Sequence, residues 1–207
     1  DPAVNYTVGD GPAYLLQADF NDDNELDLVI TNSESSNVSV LMGNGDGTFD
    51  PAVNYTVGGG PVYVVAEHLD SDGFLDLVTV NNYSSNVSVL MGNGDGTFDA
   101  KVDYAVGTGP FGPVIIVEHF NNDGFLDLAV ANGTTSNISI LMGNGDGTFD
   151  AKVDYLAGNV RQKLLGGDLN NDNNIDLISV NADTDNIAVL MGNGDGTFDA
   201  MVAYAVG

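Results

Sequence analysis

The chain has 207 residues, 43% of them hydrophobic, which is enough for a packed core and too apolar for a disordered segment. It carries 30 acidic residues against 4 basic ones (Lys101, Lys152, Arg161 and Lys163), a net charge of −26, so clustered phosphate recognition is excluded and an anionic membrane surface is repulsive. With no cysteine, disulfides, thiolate metal sites and a cysteine nucleophile are excluded as well.

The chain opens on Asp1 rather than Met and reads as a mature or excised piece, its targeting signal not visible. No apolar run approaches the length of a membrane span, so no membrane insertion is expected. The first predicted strand is the apolar run Ala13 to Phe20. An acidic loop follows, then strands over Asp27 to Thr31, Val38 to Met42 and Ala52 to Val57, the last with alternating Val53, Tyr55 and Val57. Gly11-Pro12, Gly60-Pro61 and Gly109-Pro110 punctuate the joints. No segment keeps a helical period over ten or more residues.

This pattern then repeats. Gly-Asn-Gly-Asp-Gly-Thr-Phe starts at Gly43, Gly92, Gly143 and Gly192, spaced by 49, 51 and 49 residues. Asp-Leu after an acidic loop recurs at Asp27, Asp76, Asp127 and Asp176, and Tyr-x-x-Gly recurs five times, at Tyr6, Tyr55, Tyr104, Tyr155 and Tyr204. A repeat of this length with four short strands is a propeller blade, since leucine-rich and ankyrin repeats are shorter and carry helices. The fold class is therefore all-β: a β-propeller-type tandem repeat, four blades of four antiparallel strands plus a surplus strand at the C-terminus. We read one repeat domain over 1–207, with repeats of about 1–49, 50–98, 99–149 and 150–198 and an extra strand at 199–207.

Asn-Gly and Asp-Gly in the heptapeptide supply the positive φ of a tight hairpin. The turn is the main reading, with a ligand role for Asp46, Asp95, Asp146 and Asp195 as its alternative. The Phe that follows (Phe49, Phe98, Phe149, Phe198) is expected to plug the core between blades.

The loop between the first two strands carries the chemistry. In the first repeat, oxygen side chains fall at loop positions one, three, five and nine: Asp19, Asn21, Asp23 and Asp27. In the fourth they are Asp168, Asn170, Asp172 and Asp176. A hard cation such as Ca2+ wants six to eight oxygens, and a backbone carbonyl near position seven would add one. With only four basic side chains, cations are the natural counter-charge. The middle loops depart at position one, reading His68, Asp70, Asp72, Asp76 and His119, Asn121, Asp123, Asp127. Histidine is a poor ligand for a hard cation, so weaker sites are expected there. The alternatives are solvated acidic turns and, for the two histidines, a zinc site.

No serine–histidine–acid set is present, and Gly-Asn-Gly-Asp-Gly lacks the lysine and helix of a phosphate loop. Near-identical repeats also provide no asymmetric carboxylate pair for glycoside cleavage. No enzyme activity is expected.

Asp19-x-Asn21-x-Asp23-x-x-x-Asp27-Leu28, Ser39-Val-Leu-Met-Gly-Asn-Gly-Asp-Gly-Thr-Phe49 and Val57-Gly-Gly-Gly-Pro61, with their later copies, resemble the FG-GAP/VCBS repeat family, whose blades also build the integrin α-subunit propeller. The resemblance covers essentially the whole chain. It implies calcium in the loops, held by Asp19, Asn21, Asp23 and Asp27; by Asp70, Asp72 and Asp76; by Asn121, Asp123 and Asp127; and by Asp168, Asn170, Asp172 and Asp176. It also implies an extracellular or cell-surface adhesion module that binds carbohydrate or protein, calcium acting as a structural staple. The family's propellers usually have seven blades and this chain supplies four. A small ring, an arc of a longer array and assembly with copies of itself are all open. The surplus strand Ala200 to Gly207 suggests head-to-tail strand exchange into a fibre or surface assembly as the alternative function. Tyr14, Tyr63, Tyr83 and Phe111 vary between blades and are the better ligand-surface candidates. Asn159-Val-Arg-Gln-Lys163 is the main irregular stretch. Asn-x-Ser/Thr sequons occur at Asn5, Asn37, Asn54, Asn82, Asn86, Asn132 and Asn137.

Overall fold

A computed structural model describes residues 3–110, 114–158, 163–182 and 184–206. Phe111 and most of the irregular stretch 159–163 lie outside the described residues. The described chain is all-β. Four four-stranded antiparallel sheets follow one another, each built from consecutive strands. The first holds β1 (Pro12–Ala18), β2 (Asp27–Asn32), β3 (Asn37–Leu41) and β4 (Val53–Thr56). The second holds β5 (Pro61–Glu67), β6 (Asp76–Asn81), β7 (Asn86–Leu90) and β8 (Val102–Ala105). The third holds β9 (Ile115–Glu118), β10 (Asp127–Asn132), β11 (Asn137–Leu141) and β12 (Val153–Leu156), and the fourth β13 (Leu164–Gly167), β14 (Asp176–Asn181), β15 (Asn186–Leu190) and β16 (Val202–Ala205).

The sequence dictates which strands sit inside. β6 and β10 are buried along their whole length, so apolar residues run through them without alternation. The outer strands β4, β8 and β12 expose all but one position, a half-buried tyrosine: Tyr55, Tyr104 or Tyr155. Register is the same in every sheet, with Leu28 opposite Leu41 in the first and Leu77 opposite Leu90 in the second. Proline has no N–H to give the ladder, and the β1–β2 and β5–β6 registers shift just after Pro12 and Pro61.

The chain divides into two compact units, Asp1–His68 with Asp72–Asp103, and Leu69–Ser71 with Tyr104–Gly207. In the first, β5 lies against β1 and β2. Its core gathers Phe20, Val29, Val38, Val40, Val57, Val64, Leu77, Leu90 and Phe98. Phe98 meets Phe20 and Tyr55 edge to face, at 5.6 and 5.5 Å between ring centroids. In the second unit β13 packs on β9 and Phe198 repeats the arrangement, 5.5 Å from both Phe120 and Tyr155.

The surplus copy of the tyrosine strand is not where the sequence reading put it. The last copy, around Tyr204, is β16, the regular outer strand of the fourth sheet, paired with β15 through Asn186–Ala205 and Val189–Val202. The first copy, Ala3–Val8, belongs to no strand. Residues 1–9 and 50–58 are identical in sequence, yet the second copy provides β4 and the first does not. The second copy follows β3 and pairs with it through Asn37–Thr56 and Val40–Val53.

Candidate metal centres

The acidic loops join the first two strands of each sheet. In the first, the Asp19 carboxylate folds back over its own loop. It accepts hydrogen bonds from the backbone N–H groups of Asn21 (3.3 Å), Asp23 (3.2 Å) and Asn24 (2.8 Å). Asn21 Oδ1 accepts from Asp23 N at 3.1 Å, Asn21 Nδ2 donates to Asp23 Oδ2 at 2.9 Å, and Asp23 Oδ1 accepts from Glu25 N at 2.8 Å. This ladder of Asx turns curls the loop, and Asp22 and Asn24, at positions four and six, take φ of 56° and 67° to follow it. Asn and Asp adopt that left-handed region more readily than other non-glycine residues.

The fourth loop repeats the design. Asp168 accepts from the N–H groups of Asn170, Asn171, Asp172 and Asn173, and the positions four and six are again left-handed, Asn171 at 63° and Asn173 at 68°. The backbone N–H of Asn174 and the side chain of Asn170 hold the Asp172 carboxyl below its ordinary range. The loop is thus built to keep this carboxylate charged.

The second and third loops differ in both respects. Only position six is left-handed, and it is glycine: Gly73 and Gly124. His68 Nδ1 lies 2.8 Å from the Phe74 carbonyl and His119 Nδ1 2.7 Å from the Phe125 carbonyl. A carbonyl only accepts, so each Nδ1 carries the proton and donates. That carbonyl is loop position seven, the backbone oxygen a bound cation would use. In these loops the histidine N–H already engages it. Asp72 and Asp123 keep their Asx turns to Phe74 N and Phe125 N, Asn121 donates to Asp123, and Asp70 lies half-buried in its loop.

Position nine has a second task that the sequence did not announce. Asp27, Asp76, Asp127 and Asp176 are fully buried. Asp27 accepts from Phe20 N through Oδ2 and from Gly43 N through Oδ1, both at 2.8 Å. Asp127 does the same with Phe120 N and Gly143 N, and Asp176 with Leu169 N and Gly192 N. Asp76 accepts from Gly92 N. Each carboxylate therefore ties the acidic loop to the end of the third strand, sixteen residues on. Burial pushes the Asp127 carboxyl up, against the two amides that stabilise its charge.

Among the described residues, no three His, Cys, Asp or Glu side chains are gathered as a ready-made metal cluster. The structure brings positions one, three and five together in one hydrogen-bonded loop and turns position nine to the backbone. The donors of the first and fourth loops are carboxylate and amide oxygens only, which fits a hard cation. The middle loops fit less well, their position one being an imidazole facing the position-seven carbonyl. The chain has no cysteine, and among the described residues no three ligand side chains gather to make a zinc set.

The Gly-Asn-Gly-Asp-Gly segments are hairpin turns. Asp46 Oδ1 accepts from both Thr48 N (2.9 Å) and Thr48 Oγ1 (2.6 Å), and Gly43 bridges to Phe49. The Thr48 hydroxyl, then its N–H, hold Asp46 below the ordinary carboxylate range, and the same holds for Asp95, Asp146 and Asp195 with Thr97, Thr148 and Thr197.

At the other end of each sheet lies a network the sequence reading missed. Asn32 Nδ2 donates to Asn37 Oδ1 (2.7 Å) and Ser39 Oγ (2.8 Å), and Ser39 Oγ donates to Asn54 Oδ1 (2.6 Å). Asn132 repeats this with Asn137 and Ser139 and is fully buried, so its sequon nitrogen is closed to a glycan. In the fourth sheet alanines, Ala188 and Ala203, replace the serine and its partner. Of the aromatic candidates, Tyr14 and Tyr63 pair, with ring centroids 4.2 Å apart, and burial with this contact pushes the Tyr63 hydroxyl up to about 12. Tyr83 is exposed. Lys101 and Lys152 pair with Asp103 and Asp154.

No family model matches the chain, and no curated protein matches it. Among solved structures, an Agrocybe aegerita lectin, determined for its specific recognition of non-reducing terminal N-acetylglucosamine, aligns with a TM-score of 0.60 at 20% identity, over 93% of this chain and 52% of the lectin. BBS1N in complex with ARL6DN aligns with a TM-score of 0.59 at 12% identity, over 100% of this chain and 59% of that one. The chain thus spans just over half the length of these structures. At such identities the likeness is one of fold, and it places the tandem sheets among β-propeller-like proteins. No helix among the described residues is long and apolar enough to cross a membrane.

Proposed function

We propose that the chain is an extracellular, calcium-binding module of β-propeller type, related to FG-GAP/VCBS repeats, that binds carbohydrate or protein and has no catalytic role. The observation that carries this reading is the matched pair of loops at 19–27 and 168–176. In each, an aspartate at position one gathers the backbone amides, and left-handed residues at positions four and six curl an all-oxygen donor set. Asp19, Asn21 and Asp23, and Asp168, Asn170 and Asp172, would hold the cation, with Asp27 and Asp176 at the loop bases. Calcium, when bound, supplies the counter-charge that the chain's four basic residues do not. At about 2 mM calcium and a Kd of about 0.1 mM, each site contributes roughly 1.8 kcal/mol. Two such sites are a large share of a marginal stability.

The fold shared with a lectin makes sugars the first ligand class to test. A thermal melt of the metal-stripped chain, in EDTA and then with calcium, tests the cation. A rise in Tm with calcium that magnesium does not reproduce supports the reading, and an unchanged Tm removes its main support. Binding to a panel of immobilised sugars, N-acetylglucosamine among them, tests the ligand class. Calcium dependence without any bound sugar would direct the search to protein partners.

A further inference from the structure

The tyrosines of this chain are not used alike. Tyr6, Tyr55, Tyr104 and Tyr155 each pack edge to face on a phenylalanine, Phe49, Phe98, Phe149 or Phe198, at 5.5–5.6 Å between centroids. Tyr14 and Tyr63 pack on each other instead. They stand five residues before loop position one in the first two repeats, where the third and fourth repeats carry Val114 and Lys163. The pair is thus a departure from the repeat, and both of its members lie in the first compact unit.

Local structure aims the two rings. Proline opens each strand, β1 at Pro12 and β5 at Pro61, and the ladder slips between Pro12 and Tyr14 and between Pro61 and Tyr63. Each tyrosine is the first residue paired after the irregularity, where a bulge re-aims a side chain. Tyr14 N donates to the Thr31 hydroxyl at 3.0 Å, and the Tyr14 ring packs against the core of the unit. Because β5 lies against β1, the rings come to 4.2 Å between centroids, inside the spacing of about 4.5–7 Å usual for aromatic pairs. The Tyr14 hydroxyl donates to the Tyr63 hydroxyl at 3.4 Å. The oxygens are nearer than the ring centres, so the rings lean together at their phenol ends, which places the carbons ortho to the two hydroxyls at the contact.

We propose that Tyr14 and Tyr63 form an oxidative cross-linking site, at which a peroxidase and hydrogen peroxide join the first two sheets covalently through a dityrosine. Each phenol loses one electron and one proton, and one hydrogen peroxide accepts both pairs to give two waters. The Tyr63 hydroxyl, pushed up to about 12 by burial and by Tyr14, keeps its proton at neutral pH, so that proton leaves together with its electron. The two phenoxyl radicals then combine. A carbon–carbon bond forms between the ring carbons ortho to the hydroxyls, and the hydrogen each of those carbons carried moves to its oxygen, which restores both phenols. The bond ties positions 49 residues apart. It would restrain the unfolded chain as a disulfide does, in a chain that has no cysteine. This site does not rest on the calcium reading, since neither ring is a proposed ligand.

The test treats the chain, in calcium and at low micromolar concentration, with a haem peroxidase and hydrogen peroxide. The monomer is then isolated and digested with an aspartate-specific protease, which separates Tyr14 from Tyr63. The expected product is a linked pair of peptides holding these two residues, lighter than their sum by two hydrogens, with dityrosine fluorescence in the monomer. Tyr14→Phe and Tyr63→Phe keep both rings and remove one hydroxyl, and each should abolish the linked pair. Tyr83 is exposed and serves as the control for the oxidant, and Tyr83→Phe should leave the link unchanged. The linked chain should melt at a higher Tm than the untreated chain in the same buffer. Absence of the Tyr14–Tyr63 pair from a sample whose Tyr83 has reacted overturns the proposal. So does the same dityrosine yield in the monomer of either Phe variant, or a linked chain whose Tm has not risen.

Discussion

Asp127→Ala separates the two tasks of a loop-base aspartate. In the folded chain both carboxylate oxygens accept buried backbone N–H groups, Phe120 N and Gly143 N, each at 2.8 Å. Alanine leaves both donors buried without an acceptor, at about 1–3 kcal/mol each. Relief of the buried charge, which pushes this carboxyl up, offsets part of that. A net loss of about 3 kcal/mol follows. With an m-value of about 2 kcal/mol/M, the urea midpoint should fall by about 1.5 M. The loss should be the same in EDTA and in calcium, because the third loop already has His119 on its position-seven carbonyl. Urea melts followed by fluorescence and circular dichroism in both buffers measure it. If the midpoint moves only when calcium is present, Asp127 is a ligand first and the staple argument is wrong.

The two classes of loop predict opposite responses to substitution. His68→Asp frees the Phe74 carbonyl and supplies the missing oxygen, and should add one calcium site per chain by titration calorimetry; Asp168→Ala should remove one. The aspartates of the Gly-Asn-Gly-Asp-Gly turns should titrate below an ordinary carboxylate by NMR, since Thr48 and its counterparts hold them low. The stabilisation from those bonds is in place above the ordinary aspartate pKa of about 3.9 and is lost as pH falls through the lowered values. Titration of all four at or above the ordinary value would contradict the turn geometry. Ala188→Ser with Ala203→Asp should rebuild in the fourth sheet the hydrogen bond that Ser139 gives Asp154, raising stability by about 1 kcal/mol in thermal melts.

Much of this fold is legible in the sequence because the repeats state it four times. The Asp-Leu strands, the heptapeptide hairpins and the Phe plugs follow from periodicity and turn chemistry that each copy carries locally. The place of the surplus tyrosine strand is not local. Residues 1–9 and 50–58 are identical, yet only the second copy pairs with β3 and forms β4. The candidate site was legible as an oxygen-rich loop, and the histidines at position one marked the middle loops as different. The position-nine aspartates could not be read as staples, since the amide that ties each to the third strand lies sixteen residues away in sequence. The Asn32–Ser39–Asn54 network was hidden for the same reason, its members looking like ordinary polar strand residues and sequons.

Titration calorimetry of calcium into the metal-stripped chain tests the central claim most directly. Two tight sites, lost one at a time in Asp19→Ala and Asp168→Ala, with the His68 and His119 loops silent or much weaker, is the result this account predicts. No binding heat, or binding that survives both substitutions, would mean that the curled loops are turns held by their own amides, and the calcium reading would fall.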